Sequence, residues 1–171
     1  WNIFGAATWD LRSNALRPAT WTSADAAGFP ILPLLLRADE ASSGTINHAL
    51  RFTMNQIRNT YTWPARHKIG SSVDVNRPPM GQLFRLKASY VIPTGFSTQS
   101  KAILTALKRY GMYLSDVGTE LYIQGEPKAA WSSTVFSQVQ TVPASEFEAV
   151  DLSPITSRPG FDPDSAAVPP Q

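Results

Sequence analysis

Hydrophobic and polar positions divide the chain into segments of different period. From Thr45 to Met54, the residues Ile46, His48, Leu50, Phe52 and Met54 alternate with Thr45, Asn47, Ala49, Arg51 and Thr53, which is the period of a strand with one largely apolar face. His48 falls on that face, among the inward residues. Residues 81–92 alternate again, with Leu83, Arg85 and Lys87 facing one way and Phe84, Leu86 and Ala88 the other. Residues 1–9 are aromatic and small and read as a strand in which Gly5 permits a bulge. Residues 60–67 read as a second aromatic strand interrupted by Pro64, residues 112–124 as a hairpin turning at Ser115–Gly118, and residues 145–153 as a last strand. Residues 131–142 fit a short helix or a strand.

The period changes to that of a helix after Ser97. Ile103, Leu104, Leu107 and Tyr110 share one side, Ser97 is the cap, Lys108 and Arg109 occupy the last turn, and Gly111 stands at C′. Asp10, Ser13, Asn14 and Pro18 mark a turn. Ser23 caps a single helical turn ended by Gly28 and Pro30. The apolar run from Ile31 to Ala41 admits a short helix starting near Pro33 and ending near Glu40, which leaves Asp39 and Glu40 at the unfavourable end of the dipole. About seven strands with two or three helices predict a mainly β protein, a β-sandwich or jelly-roll-like core with two or three short helices packed on it. Residues 1–152 form the single β-rich domain of this reading. Residues 153–171, rich in Pro, Ser, Asp and Ala and without periodicity, form an extended tail.

Composition narrows the chemistry. A chain of 171 residues is long enough for one full domain. Cysteine is absent, so there is no disulfide scaffold and no thiol catalysis. No apolar run reaches the roughly 18 residues of a membrane span. Residues 1–140 carry fourteen Lys or Arg against eight acids, whereas residues 141–171 carry one Arg against five. The basic residues are not clustered with aromatics, so nucleic acid is not an expected partner. Neither GxGxxG nor a Walker loop occurs, nor GxSxG, nor HExxH. Two histidines are too few for a three-histidine metal site, and no metal or cofactor is expected.

Three constellations remain. Asp10, Asp25, Asp39 and Glu40 offer the paired carboxylates that cleave glycosidic bonds, or serve as a turn former (Asp10), a helix-start acid (Asp25) and partners for Arg37 or Arg51. His48, with Arg51 and His67 nearby in the reading, is a general base if paired with a carboxylate, or a hydrogen-bonded core histidine. Trp1, Trp9, Trp21, Tyr61, Trp63 and Trp131 are either a stacking platform for sugar rings or core filling.

The segments DLRSNALRPATWTSADAAGFPILPLLLRADE, GTINHALRFT, YTWPARH, PPMGQLFRLKAS and ILTALKRYGMYLSDVGTELYIQG occur in an order that resembles a family of largely uncharacterised secreted proteins of soil bacteria and fungi, over roughly residues 5–151. Members of that family are longer before the DLRSN segment. The resemblance thus implies that Trp1 is an interior position of a longer precursor, and that the chain is secreted and associates with that preceding segment or with itself. It also implies a neighbourhood of polysaccharide-handling proteins. The polar positions it marks are Asp10, Arg12, Ser23, Asp25, Asp39, Glu40, His48, Arg51, Arg66, His67, Arg85 and Lys87. The resulting expectation is a secreted carbohydrate-active or carbohydrate-binding domain with a polysaccharide or oligosaccharide as partner. Asp25 with Asp10, Asp39 or Glu40 would be the acid and base, His48 would assist them, and Arg12, Arg51, Trp21, Trp63 and His67 would hold substrate. The alternative is a non-catalytic, self-assembling extracellular protein whose tail docks on a neighbour.

Overall fold

In the computed structural model, which describes residues 6–128 and 130–170, a 3-10 turn (Leu32–Leu34) leads into helix α1 (Ala38–Ser43). Strands β1 (Leu50–Met54), β2 (Arg58–Tyr61), β3 (Pro79–Met80) and β4 (Leu83–Leu86) follow, then helix α2 (Thr98–Arg109). The chain ends through strands β5 (Met112–Val117) and β6 (Tyr122–Ile123), helix α3 (Val135–Val139), strand β7 (Phe147–Ala149) and helix α4 (Ser153–Thr156). Five strands form one mixed sheet in the order β6-β1-β5-β4-β7, and β2 pairs with β3 apart from it.

This is a mixed α/β fold, and it overturns the expected sandwich or jelly roll. Alternation tells which face of a strand is inward but not which strand lies beside it. The expected 112–124 hairpin does not form, because β1 runs parallel to β5 and antiparallel to β6, and so lies between the two. Residues 60–67 contribute only the end of β2 before turning at Trp63–Pro64. Residues 6–9 are coil, and the rest of that expected strand lies outside the described residues. The strands that remain supply one principal sheet, and helices cover one of its faces.

That helical face is built as the sequence predicts. Ser97 Oγ accepts the Ser100 amide at 3.1 Å and opens α2. Gly111 ends it at φ 74, where a Cβ would stand 2.4 Å from Phe84 O, so glycine is required. Ile103, Leu104 and Leu107 join Leu50, Phe52, Met112 and Leu114 in one buried cluster. The register pairs Leu50 with Met112 and Phe52 with Leu114, which places these four side chains on the same side.

The opposite face carries Arg51 and its register partner Tyr113, and loops cover it instead of helices. Between Phe52 and Thr53 the register skips Ser115. The carbonyl of this bulged residue accepts the Ala27 amide at 2.9 Å, tying the 20–30 loop to the sheet. The tail also lies here: Leu16 N donates to Asp164 O at 2.8 Å and Ala166 N to Asn14 O at 2.7 Å. The apolar run 31–41 is split, so α1 starts at Ala38 and Asp39 and Glu40 occupy its first turn. They stand at the favourable end of the dipole, contrary to the expected placement.

Candidate functional site

Asp25 organises the loop above the sheet. Its Oδ1 accepts the amides of Gly28 at 2.9 Å and Phe29 at 3.0 Å, while Ser23 Oγ accepts the Asp25 amide at 3.0 Å. These bonds close a turn, and the helical turn expected after Ser23 is absent. Gly28 adopts φ 82, where a Cβ would meet Trp21 O at 2.8 Å. Asp25 Oδ2 lies 3.1 Å from Arg51 Nη2, and the two side chains are 0% and 4% exposed. The distance is that of an ion pair, but the angle is poor: Asp25 Oδ2 and Arg51 Nη1 have no hydrogen-bond partner among the described residues. Burial pushes the Asp25 carboxyl up to about 6, against the pull of Arg51 and the two amides and with a further push from Asp116. The pair is sealed beneath the loop, so neither Asp25 nor Arg51 faces a polymer arriving from solvent.

Glu40 and His48 meet elsewhere. His48 precedes β1 instead of lying on it. Its Nε2 is 2.9 Å from Glu40 Oε2 and its Nδ1 2.8 Å from Ala49 O. Arg37 binds the other oxygen of Glu40. The result is a half-buried cluster joining the start of α1 to the entry of β1, with both ring nitrogens occupied. Asp39 is exposed and accepts the Glu40 amide. Among the described residues no hydrogen bond or ion pair links this cluster to Asp25 or Asp10.

The third arrangement is an open groove of about 360 Å³. Trp9, Asp10 and Asn14 form one side, Trp63 and Val168 another, and Tyr113 belongs to its lining from the sheet. Its aromatic residues are held by their neighbours. Trp63 Nε1 donates to Ser165 O at 2.9 Å, and its ring meets Phe161 edge-on at 5.4 Å. Tyr113 meets Phe29 at 5.5 Å, so the Asp25 turn supports the groove from below. Burial raises the Tyr113 hydroxyl above its ordinary value. The Arg17 guanidinium lies 5.6 Å from the Trp9 ring centroid and 5.3 Å from that of Trp21, which is exposed. Arg66, buried, donates to Arg17 O at 2.6 Å and Pro163 O at 2.7 Å and pairs with Asp164. His67 Nδ1 lies 2.9 Å from Ala26 O.

Asp10 is the one carboxylate lining this groove among the described residues. Both its oxygens bind Arg12, at 3.0 and 3.1 Å, which holds its carboxyl below the usual range. Of the residues the sequence proposed, the structure therefore brings Asp10, Trp9 and Trp63 together, with Arg12 on Asp10 and Trp21 on Arg17. It leaves Asp25 with Arg51, Glu40 with His48, and His67 on the loop carbonyl. Sequence reasoning missed Asn14, Arg17, Tyr113 and the tail segment around Ser165. Tyr113 carried a weak signal as an aromatic within an expected strand, whereas the tail carried none. Among the described residues no group of three or more His, Asp or Glu side chains could hold a metal ion, and no helix is long and apolar enough to cross a membrane. Searches with known family profiles, characterised proteins and solved structures give no match to this chain.

Proposed function

We propose that the chain is a secreted carbohydrate-binding domain, and that the glycan lies in the groove between Trp9 and Trp63. One observation carries this reading: two half-buried indoles and Tyr113 border an open cleft whose lining also includes the polar residues Asn14, Ser13 and Asp10, the last paired with Arg12. Apolar sugar faces stack on such rings while hydroxyls bond to polar groups beside them. Cleavage has less support than binding. Glycoside hydrolysis needs an acid and a base facing each other across the bond, and the groove offers one carboxylate, already committed to arginine. The self-assembly alternative needs a tail free to reach a neighbour, but residues 164 and 166 are bonded to residues 16 and 14 of their own chain.

The test is retention of the native chain, Trp63→Ala and Trp9→Ala on a panel of immobilised polysaccharides, with assays for new reducing ends. Native protein is retained on at least one polymer and releases no reducing ends. Each variant loses at least tenfold in affinity, consistent with the loss of one stacked ring. Retention on none of the polymers, or equal retention of all three proteins, would overturn the proposal.

A further inference from the structure

A second cavity, of about 460 Å³, opens on the other side of the sheet. Ile123 of β6 stands opposite Phe52 in the ladder and shares its face, the helical one, whereas Tyr113 of the groove stands opposite Arg51. The two openings are therefore separate. The buried side chains of Leu36 and Ile103 reach this cavity from the core, and Leu121, Trp131, Phe136 and Val139 line it further out. Trp131 Nε1 donates to Glu126 O at 2.8 Å, which fixes the indole, and Phe136 tilts against it at 5.4 Å while remaining 44% exposed. Leu121 holds φ 52, a left-handed conformation that leucine rarely adopts. Its side chain contributes to the cavity wall.

The charged groups at the rim are asymmetric. Glu126 Oε1 accepts the Ala38 amide at 2.6 Å and Oε2 lies 3.3 Å from Lys128 Nζ, so both oxygens are engaged. Its side chain is 16% exposed, against 56% for Lys128. The acid is the more buried of the two, and the ammonium paired with it lies at the exposed rim, where its remaining N–H groups face solvent. The volume falls within the range of small-molecule sites, roughly 300–1,000 Å³, and such sites combine an apolar lining with a few placed polar groups.

We propose that this cavity binds a small aromatic carboxylate, its ring against Trp131 and Phe136 and its carboxylate on Lys128. The chemistry follows from the lining: an apolar body replaces water over the leucine and isoleucine floor, an aromatic ring adds offset or edge contacts with two fixed rings, and the anion meets the exposed ammonium.

The experiment uses the full chain, with 4-phenylbutyrate as probe and 4-phenylbutanol as its neutral counterpart, followed by calorimetry and by tryptophan fluorescence. Native protein binds the carboxylate at least fivefold more tightly than the alcohol. Lys128→Glu, on the exposed rim, removes that preference and leaves alcohol binding within twofold. Val139→Trp, which fills the cavity, reduces binding of both at least twentyfold, and unchanged retention on polysaccharide shows that this variant is folded and that the groove is independent. No binding to native protein, or Val139→Trp binding like native, overturns the site. Equal affinity for acid and alcohol overturns the carboxylate. A concentration-dependent dimer that the probe dissociates assigns the cavity to a second copy of the chain and likewise overturns the proposal.

Discussion

The two faces of the central sheet are solved by different physics, although both are read from one strand. Leu50 and Phe52 of β1 point to a face covered by α2 and packed with aliphatic side chains. Arg51, between them, points to a face covered by loops and meets Asp25. On the first face, burial itself is favourable, at roughly 25 cal/mol per Å² of apolar surface. On the second, burial is unfavourable for each charge alone and tolerable only because the charges face each other and Asp25 accepts two amides. A helical cover brings its own backbone hydrogen bonds. A loop cover must find them one at a time, and Asp25, Ser23, Ser115 and Arg66 supply them here.

The contrast is broken most sharply at Arg51. Arg51→Leu leaves the Asp25 carboxylate buried without its counter-charge, and unfolding in urea at pH 7.5 should show a loss of about 3–5 kcal/mol. Asp25→Asn with Arg51→Met keeps an Oδ1 acceptor for the Gly28 and Phe29 amides and removes both charges. Most of the loss should then return, a coupling that a purely steric role for Arg51 would not give.

The next effect is a pH dependence confined to the loop face. The Asp25 carboxyl is raised from 3.8 to about 6 in the folded chain. Between those values the folded protein holds a proton that the unfolded chain has released, so this residue's contribution to stability is greatest at or below about pH 4. It is lost as pH rises through 6 and is constant above. The full span is about 3 kcal/mol. Urea midpoints from pH 4 to 7.5, native against Asp25→Asn, isolate it: the stability of the native chain relative to the variant should fall with rising pH only in that window. A difference independent of pH would show that Arg51 outweighs burial.

On the helical face the corresponding perturbation is small and has no such dependence. Ile103→Val removes one methylene from the α2 contact and should cost about 0.5–1.5 kcal/mol, equal at pH 4.5 and 7.5 in the same urea experiment.

The faces also differ in how far they are legible in sequence. Helix α2 could be read almost to the residue, because Ser97, the apolar side 103–107 and Gly111 are local signals for local structure. In the 45–54 segment the alternation located β1 but set its start too early, so His48 fell outside the strand. It also placed Arg51 on the polar side, which is correct for the ladder, but Arg51 is buried there, and nothing near it in sequence announces Asp25 as its cover. The same limit hid the placement of β1 between β5 and β6, since period says nothing about neighbours. At the groove, the residue types were legible in Trp9, Asp10 and Trp63. Their convergence was not, because it depends on bonds between residues 14–16 and 164–166, two segments far apart in sequence.

The smallest expected effect tests whether depth governs these ion pairs. Arg66 and Asp164 join the tail to the loop layer, and Arg66 is as buried as Arg51, but Asp164 is 74% exposed. Its carboxylate keeps most of its water, and solvent screens the attraction. Asp164→Asn also leaves the guanidinium its bonds to Arg17 O and Pro163 O, so no buried donor set is abandoned. The loss should stay below about 1 kcal/mol, and because Trp63 keeps its bond to Ser165 O, polysaccharide retention should remain within twofold of native. Should Asp164→Asn destabilise the chain as much as Arg51→Leu, burial of the acid would not be what separates the two pairs. The strength of the loop face would then lie in the docking of the tail and not in the charge sealed beneath it.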